Sequence, residues 1–316
     1  MAASEALRRS IPDDARVSQW QAPDGWVHRR FDWSPPVGLS PRGSILFQGG
    51  RGDIFEKYLE AFAHWRASGW HVTSFDWRGQ GGSGRCSPLP HCGHVARFGD
   101  FYDDLTVFWS DWRKRAPGPR VAIGHSMAGF LMLRALVDRR IDPAAAVLVA
   151  PMLGLNGPLG AGIAERLARG VARMGDPARP AWKGNERPAT TQTRQSLLTH
   201  DADRYADEIW WQQADPRLMT GPPSWAWVAQ AYTETKLLRQ DARLRVTATP
   251  VLGLVAQADG LVDARAAIAT LAKLPNATIE GFGPESAHEI LREADPVRDR
   301  ALAAIGSFLD MRAPVA

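Results

Sequence analysis

Short apolar runs recur along this chain, each closed by a turn residue and followed by helical periodicity. SILFQ (Ser44–Gln48) runs into Gly49-Gly50, and Trp70–Phe75 into a glycine-rich loop, Arg78–Arg85. Val121–Ile123 stops at Gly124, and Ala145–Val149 stops at Pro151. Runs of this kind, bounded by turn residues, read as strands buried on both faces. A further strand is expected at Trp26–Trp33, before Ser-Pro-Pro, whereas the stretch before it is polar and turn-rich. Helices are expected at Asp53–Ser68 and Gly99–Arg115. In the second of these, Phe98, Phe101, Tyr102, Leu105, Phe108, Trp109 and Trp112 fall on one core-facing stripe. Strands alternating with helices predict an α/β fold, with a mostly parallel sheet covered by helices on both faces.

The alternation breaks once. Residues 152–240 hold Gly-Pro pairs, short helical pieces and Trp210, Trp211, Trp225 and Trp227, but no convincing strand. It resumes with a strand at Val251–Val255, a helix at Ala264–Leu274, a strand at Ala277–Gly281 and a last helix at Pro296–Asp310. Residues 1–151 and 241–316 therefore read as one core, and 152–240 as a helical cap inserted into it.

Composition narrows the function classes. The chain has 316 residues, 45% hydrophobic and 23% charged, the balance of an ordinary globular protein. The formal charge of +4 comes from scattered Lys and Arg, so no nucleic-acid groove is expected; a weak attraction to anionic lipid surfaces is compatible with it. The N-terminal residues lack a signal-peptide apolar core, and no run approaches the ~18 apolar residues of a membrane span. Two cysteines, Cys86 and Cys92, fit a reducing compartment, so the cytoplasm is expected, with peripheral contact at the inner membrane surface allowed. Cys86, His91, Cys92 and His94 lack the usual zinc spacing, and neither metal nor cofactor is expected.

Gly124-His-Ser-Met-Ala-Gly129 lies between a buried strand and an apolar helix. A serine on so sharp a turn needs small neighbours where strand and helix meet. Gly124 meets that need; Ala128 stands where the usual motif has its second glycine. One methyl is tolerable there unless the position requires positive φ. Along such chains an acid and then a histidine follow the serine. Asp259 follows the strand PVLGLVAQ, and His288 follows the strand ATIEGF. Asp263 is the competing acid, but it suits the start of a helix. The expected triad is Ser126, His288 and Asp259, with His288 as base and Asp259 orienting it. The backbone N–H groups of Met127 and of Arg51, after Gly49-Gly50, are the expected oxyanion donors.

These residues also carry a resemblance. The chain resembles the α/β-hydrolase superfamily, specifically its bacterial lysophospholipase and monoacylglycerol-lipase-like branch, also grouped with serine aminopeptidases. The similar motifs are Gly50–Tyr58, Asp76–Ser83, Phe98–Leu105, Thr199-His-Asp201 with Arg204-Tyr205, and Ala287–Glu289. Gly49 departs from the pattern, many relatives having histidine there. The resemblance implies that Asp76 and Arg78 brace their loop; His200, in the cap, is expected to be a structural hydrogen-bonder. The resemblance also implies a serine esterase acting on a small amphipathic acyl-ester substrate, a lysophospholipid or monoacylglycerol; the aromatic-rich cap, with Trp210, Trp211, Trp225 and Trp227, is expected to shelter the acyl chain. Two alternatives are an aminopeptidase-like or other small-substrate amide or ester hydrolase, the former with Asp207, Glu208 or Asp215 holding the substrate amine, and a non-catalytic binding protein on the same fold.

Overall fold

The computed structural model describes residues 5–89, 91–156, 161–182 and 192–314. Eight strands form one sheet: β1 (Arg16–Gln21), β2 (Val27–Trp33), β3 (Gly43–Gln48), β4 (Trp70–Phe75), β5 (Arg120–His125), β6 (Ala145–Val149), β7 (Val251–Ala256) and β8 (Ala277–Phe282). Their order is β1-β2-β4-β3-β5-β6-β7-β8. The first two pairings, β1–β2 and β2–β4, are antiparallel, and every pairing from β4 to β8 is parallel. The α/β class and the mostly parallel sheet are thus as the alternation predicts.

β1 was not expected. Its sequence, RVSQWQ, is polar because it is an edge strand whose residues are largely exposed, paired only with β2 from Arg16↔Asp32 to Gln21↔Val27. The intervening turn uses Gly25 at φ 90°. A strand with one wet face and one wet edge carries no apolar run to read.

The central strands are buried on both faces, and their side chains alternate between two cores. Val121 and Ile123 join Ile45, Phe47, Phe62, Val147 and Ile305 on one side. Ala122 joins Leu46, Leu105, Phe108, Phe130, Leu133 and Leu148 on the other. Helices α1 (Glu5–Arg8) and α2 (Leu59–Ala67) come first, the latter preceded by a 3₁₀ turn at Phe55–Tyr58. The aromatic stripe on α3 (Phe98–Trp112) is entirely buried in the second core. Its polar ends are satisfied: the Trp109 indole N–H donates to Asp142 and that of Trp112 to Thr73. The remaining core helices are α4 (Met127–Val137), α9 (Ala264–Leu271) and α10 (Asp295–Arg312).

Between β6 and β7 lie α5 (Ala161–Arg173), α6 (Gln192–Leu198), α7 (Ala202–Ala214) and α8 (Trp225–Gln240). Asp201 caps α7 and Ser224 caps α8, each accepting from a backbone N–H of the first turn. α5 packs along α8, and α8 packs on α3 through Trp227 against Phe98. α7 packs on the Phe55–Tyr58 turn. The loops that leave the carboxyl ends of β3, β5, β7 and β8 meet beneath these helices, where parallel sheets place their sites.

Candidate active site

Ser126 separates β5 from α4 and takes φ 53°, ψ −115°. A non-glycine residue in that region costs about 1–3 kcal/mol, so the surroundings must impose it. They do: the Ser126 N–H donates to the Val149 carbonyl at 2.9 Å, and the Ser126 carbonyl accepts from Met152 N–H at 3.0 Å and Phe130 N–H at 3.2 Å. The crossing of β5 and α4 is glycine-dependent at two places. A Cβ on Gly124 would lie 2.8 Å from the backbone of Ala128 and Gly129. One on Gly129 would lie 2.9 Å from Pro151. Ala128 lies inside α4, fully buried and with no positive φ, so its methyl costs the turn nothing in conformation. The tight contact is at Gly124 and Gly129. Gly124→Ala is therefore expected to destabilise by about 1–3 kcal/mol through overpacking and to impair ester turnover, while Ala128→Gly leaves turnover within a few-fold. Thermal melts and p-nitrophenyl ester kinetics on both variants check this. A Gly124→Ala enzyme with unchanged turnover would refute it.

The expected triad residues come together. The Ser126 Oγ is 2.8 Å from His288 Nε2, and His288 Nδ1 is 2.6 Å from Asp259 Oδ2. All three side chains are buried. The other Asp259 oxygen, Oδ1, accepts from Leu261 N–H at 2.7 Å and Val262 N–H at 3.0 Å. Burial disfavours the Asp259 carboxylate, but the facing His288 charge and these N–H groups outweigh it and hold its pKa below the ordinary value. Burial likewise disfavours a protonated His288, and the Asp259 charge and hydrogen bond outweigh it, raising the imidazole pKa. Asp263, the competing acid, instead caps α9 by accepting from Ala266 N–H at 3.0 Å. The arrangement can move a proton from the Ser126 hydroxyl to an imidazole whose positive form is stabilised in place.

The expected oxyanion side adjoins the serine. A Cβ on Gly50 would lie 2.8 Å from Ser126 Cβ, so glycine is required for the loop to pass there. Met127 opens α4, where first-turn N–H groups have no intrahelical acceptor. The Arg51 guanidinium donates to the Gly221 carbonyl at 2.9 Å and lies 5.6 Å from the Trp227 ring centroid. The four tryptophans do not share one surface. Trp227 reaches Arg51 and Phe98, and Trp225 opens α8, its N–H donating to Arg179. Trp211 faces the N-terminal segment, its indole donating to the Arg8 carbonyl at 2.8 Å, with Trp210 edge-on against it. Trp211 shares that face of α7 with Asp207, one turn earlier, which pairs with Arg8 and Arg9.

Sequence reasoning missed the polar layer under the serine. The buried Asp53 carboxylate accepts from Gly50 N–H at 2.6 Å and from the Tyr58 hydroxyl at 2.7 Å. It also lies 3.0 Å from His125 Nδ1, and the other ring nitrogen of His125 lies 3.3 Å from the His288 carbonyl. One carboxylate thus ties the loop beside the nucleophile to the residue preceding it. Burial works against the charged Asp53, but Lys57 and His125 hold its pKa well below the ordinary range. Asp53 and Tyr58 lay inside a quoted motif, yet nothing in spacing links them to His125.

The bracing residues are engaged as expected. Asp76 pairs with Arg29 and accepts from Gly82 N–H, and Arg78 grips Asp104 through two bonds and Asp24 through a third. His200 pairs with Glu293. Cys86 and Cys92 are free thiols, and burial raises both, Cys86 to about 11. The Cys92 Sγ donates to the Ala178 carbonyl and His94 bonds Ser224, tying this loop to the segment after α5 and to the cap of α8. Among the described residues, no group of three or more His, Cys, Asp or Glu is arranged to hold a metal ion. Nor, among them, is any helix long and apolar enough to cross a membrane.

A mostly parallel eight-stranded sheet, with a strained serine on the turn between β5 and the following helix, defines an α/β hydrolase. Residues 39–295 match the Hydrolase_4 family, described as serine aminopeptidase, S33, and the chain belongs to that family. It is 32% identical over 278 residues to lysophospholipase L2 of Escherichia coli strain K12, covering 83% of this chain and 78% of the relative. In fold it is similar to a soluble variant of monoglyceride lipase from Saccharomyces cerevisiae, with a TM-score of 0.77 and 18% identity over 97% of each chain. It is also similar to the Paleococcus ferrophilus monoacylglycerol lipase, with a TM-score of 0.69 and 18% identity over 90% of this chain and 98% of the other.

Proposed function

We propose that the chain is a serine esterase that cleaves single-chain acyl esters of lysophospholipid or monoacylglycerol type. The observation that carries this is the continuous hydrogen-bonded line from Ser126 Oγ through His288 to Asp259 on a strained elbow. Ser126 attacks the ester carbonyl carbon as its proton passes to His288 Nε2. The N–H groups of Arg51 and Met127 stabilise the tetrahedral oxyanion. Collapse breaks the ester C–O bond, and His288 returns its proton to the departing alcohol. Water then repeats the sequence on the acyl-enzyme, releasing the fatty acid and restoring Ser126.

In this reading residues 152–240 form a cap over the serine, and Trp227 with Trp225 borders the acyl path. Burial of the chain contributes about 0.8 kcal/mol per CH₂, so turnover should depend on chain length. The similarity to lysophospholipase L2 supports a lysophospholipid head group, and its source would be the inner face of a membrane that the cytoplasmic enzyme touches transiently.

The family description favours a second reading, an aminopeptidase, which needs a cap carboxylate for the substrate amine. The three carboxylates considered for that role are engaged elsewhere: Asp207 with Arg8 and Arg9, Glu208 with Lys57 and Arg194, and Asp215 with Arg217. The ester reading is therefore preferred. The test is a fluorophosphonate probe, followed by lysophospholipids, monoacylglycerols and aminoacyl-naphthylamides compared on one preparation. Labelling of the wild type and not of Ser126→Ala, with acyl esters turned over faster, is expected. Equal labelling of Ser126→Ala, or faster naphthylamide cleavage, would overturn it.

A further inference from the structure

The segment from Arg194 to Glu208, joining α6 to α7, is bound to the loop that carries His288 along nearly its whole length. The His288 N–H donates to the Leu197 carbonyl at 3.3 Å and the Glu289 N–H to the Leu198 carbonyl at 2.7 Å. The Thr199 hydroxyl donates to the Arg292 carbonyl at 2.8 Å. The buried Glu293 carboxylate accepts from Ala287 N–H at 2.7 Å and from His200 N–H at 3.0 Å. Arg204 donates to the Glu293 carbonyl at 2.7 Å. The N–H groups of His288 and Glu289 are thus held by residues inserted between β6 and β7, and Ala287 by Glu293, which the inserted His200 and Arg204 engage in turn.

A buried charge cluster closes the same junction. Glu208, on α7, lies 3.0 Å from Lys57 Nζ, 2.9 Å from Arg194 and 3.7 Å from Arg292. Lys57 also reaches Asp53 at 2.5 Å and Glu289 at 2.6 Å. Three carboxylates, Asp53, Glu208 and Glu289, face three cations, Lys57, Arg194 and Arg292. Glu208 and Arg194 come from the inserted helices and the other four from the core, so docking of α6 and α7 interleaves a neutral pair with a neutral core quartet, and Glu208 bridges Lys57 and Arg292 across the junction. Through Lys57 the cluster touches Asp53, which holds Gly50, and Glu289, the neighbour of His288.

We propose that residues 194–208 are a fixed clamp on the histidine loop, and that Glu208 is a positioning residue for His288 acting through Lys57 and Glu289. The inference rests on the triad reading above. It deepens that reading by leaving α6 and α7 docked throughout turnover. Lifting α6 and α7 would break the Leu197, Leu198, Thr199 and Arg204 hydrogen bonds to the histidine loop together and take Glu208 away from Lys57 and Arg292.

Two measurements test the clamp. Hydrogen exchange on the wild type, free and after fluorophosphonate capture, follows the segments 194–208 and 284–293. Protection matching that of β8 in both states is expected; exchange as fast as in exposed loops in the free enzyme would overturn the clamp whether or not the triad reading holds. Steady-state kinetics then compare wild type, Glu208→Gln and Glu208→Asp, with rates per fluorophosphonate-titrated site at a temperature well below each melt. Glu208→Gln should lower kcat at least 10-fold with KM within 2-fold, and Glu208→Asp, which keeps the charge, should recover part of it. An unchanged kcat per titrated site, with only the melt lowered, would show Glu208 to be merely structural. A wild type that takes up no probe would instead defeat the triad reading, and exchange alone would then decide the clamp.

Discussion

Asp259→Asn should lower kcat for any ester substrate about 10⁴-fold, some 5 kcal/mol of barrier, while leaving the fold intact. The reason lies in how the two oxygens of Asp259 are used. Oδ1 is fixed by the N–H groups of Leu261 and Val262, and Oδ2 faces His288 Nδ1. Asparagine must keep its carbonyl oxygen toward those two donors, so its NH₂ turns to the imidazole. That amide donates to Nδ1 and forces the ring proton onto Nε2, where it faces the serine and blocks proton acceptance. The lost charge acts in the same direction. The base works as neutral imidazole, and His288 is held above its ordinary pKa against the opposing effect of burial by Asp259. Wild-type kcat/KM should therefore fall as pH drops through a value above 6.5, the ordinary histidine pKa. In the variant, burial acts with less opposition, so the residual activity should show that limb at lower pH. Asp263→Asn is the control: it alters only a helix cap worth about 0.5–2 kcal/mol, and kcat should stay within a few-fold. A loss below about tenfold in Asp259→Asn, or a larger one in Asp263→Asn, would reassign the acid.

The serine, the acid and the histidine were legible because each follows its own apolar run, and a parallel sheet gathers the carboxyl ends of such runs at one edge. The fold was legible for the same reason, and the family from its motifs. What escaped was whatever had no run of its own. β1 is polar because it lies at a wet edge. Glu208 was a candidate for holding a substrate amine and Lys57 lay inside a motif, but no sequence window holds both; the fold brings them to 3.0 Å across 151 positions. The one local trace was the i,i+4 spacing of Asp53 and Lys57, which any solvated helix face also shows. The tryptophans divide between roles. Trp109 and Trp112 fill the core behind α3 as their stripe predicts, while Trp211 seats the N-terminal segment on α7. The alanine of the elbow was a fair puzzle in sequence alone. The structure moves the constraint from residue 128 to Gly124 and Gly129, where strand and helix backbones touch.

Lys57→Met should be among the most destabilising single substitutions in the chain, costing about 3–5 kcal/mol at neutral pH and lowering the melting temperature by roughly 5–8 °C for a protein of this size. Methionine fits the space but leaves Asp53, Glu208 and Glu289 facing one another with only Arg194 and Arg292 to offset them. The pH dependence distinguishes this from a packing defect. Burial penalises each carboxylate, yet the surrounding cations hold all three below their ordinary pKa, Glu208 at about 2. A depressed carboxylate pKa contributes stability that is present above the unfolded value of about 4 and is lost as pH falls through the folded one. Without Lys57 those folded values rise, and the carboxylates take up protons once the pH falls below neutrality. The difference between wild type and variant should accordingly be largest near pH 7 and shrink toward pH 4.5, in urea unfolding measured at both. Adding Glu208→Gln to the Lys57→Met background should recover part of the loss, because it removes one of the stranded charges. A difference that stays constant with pH, or a double variant weaker than Lys57→Met alone, would mean that the lysine contributes by filling space and that the cluster is not held by its charge balance.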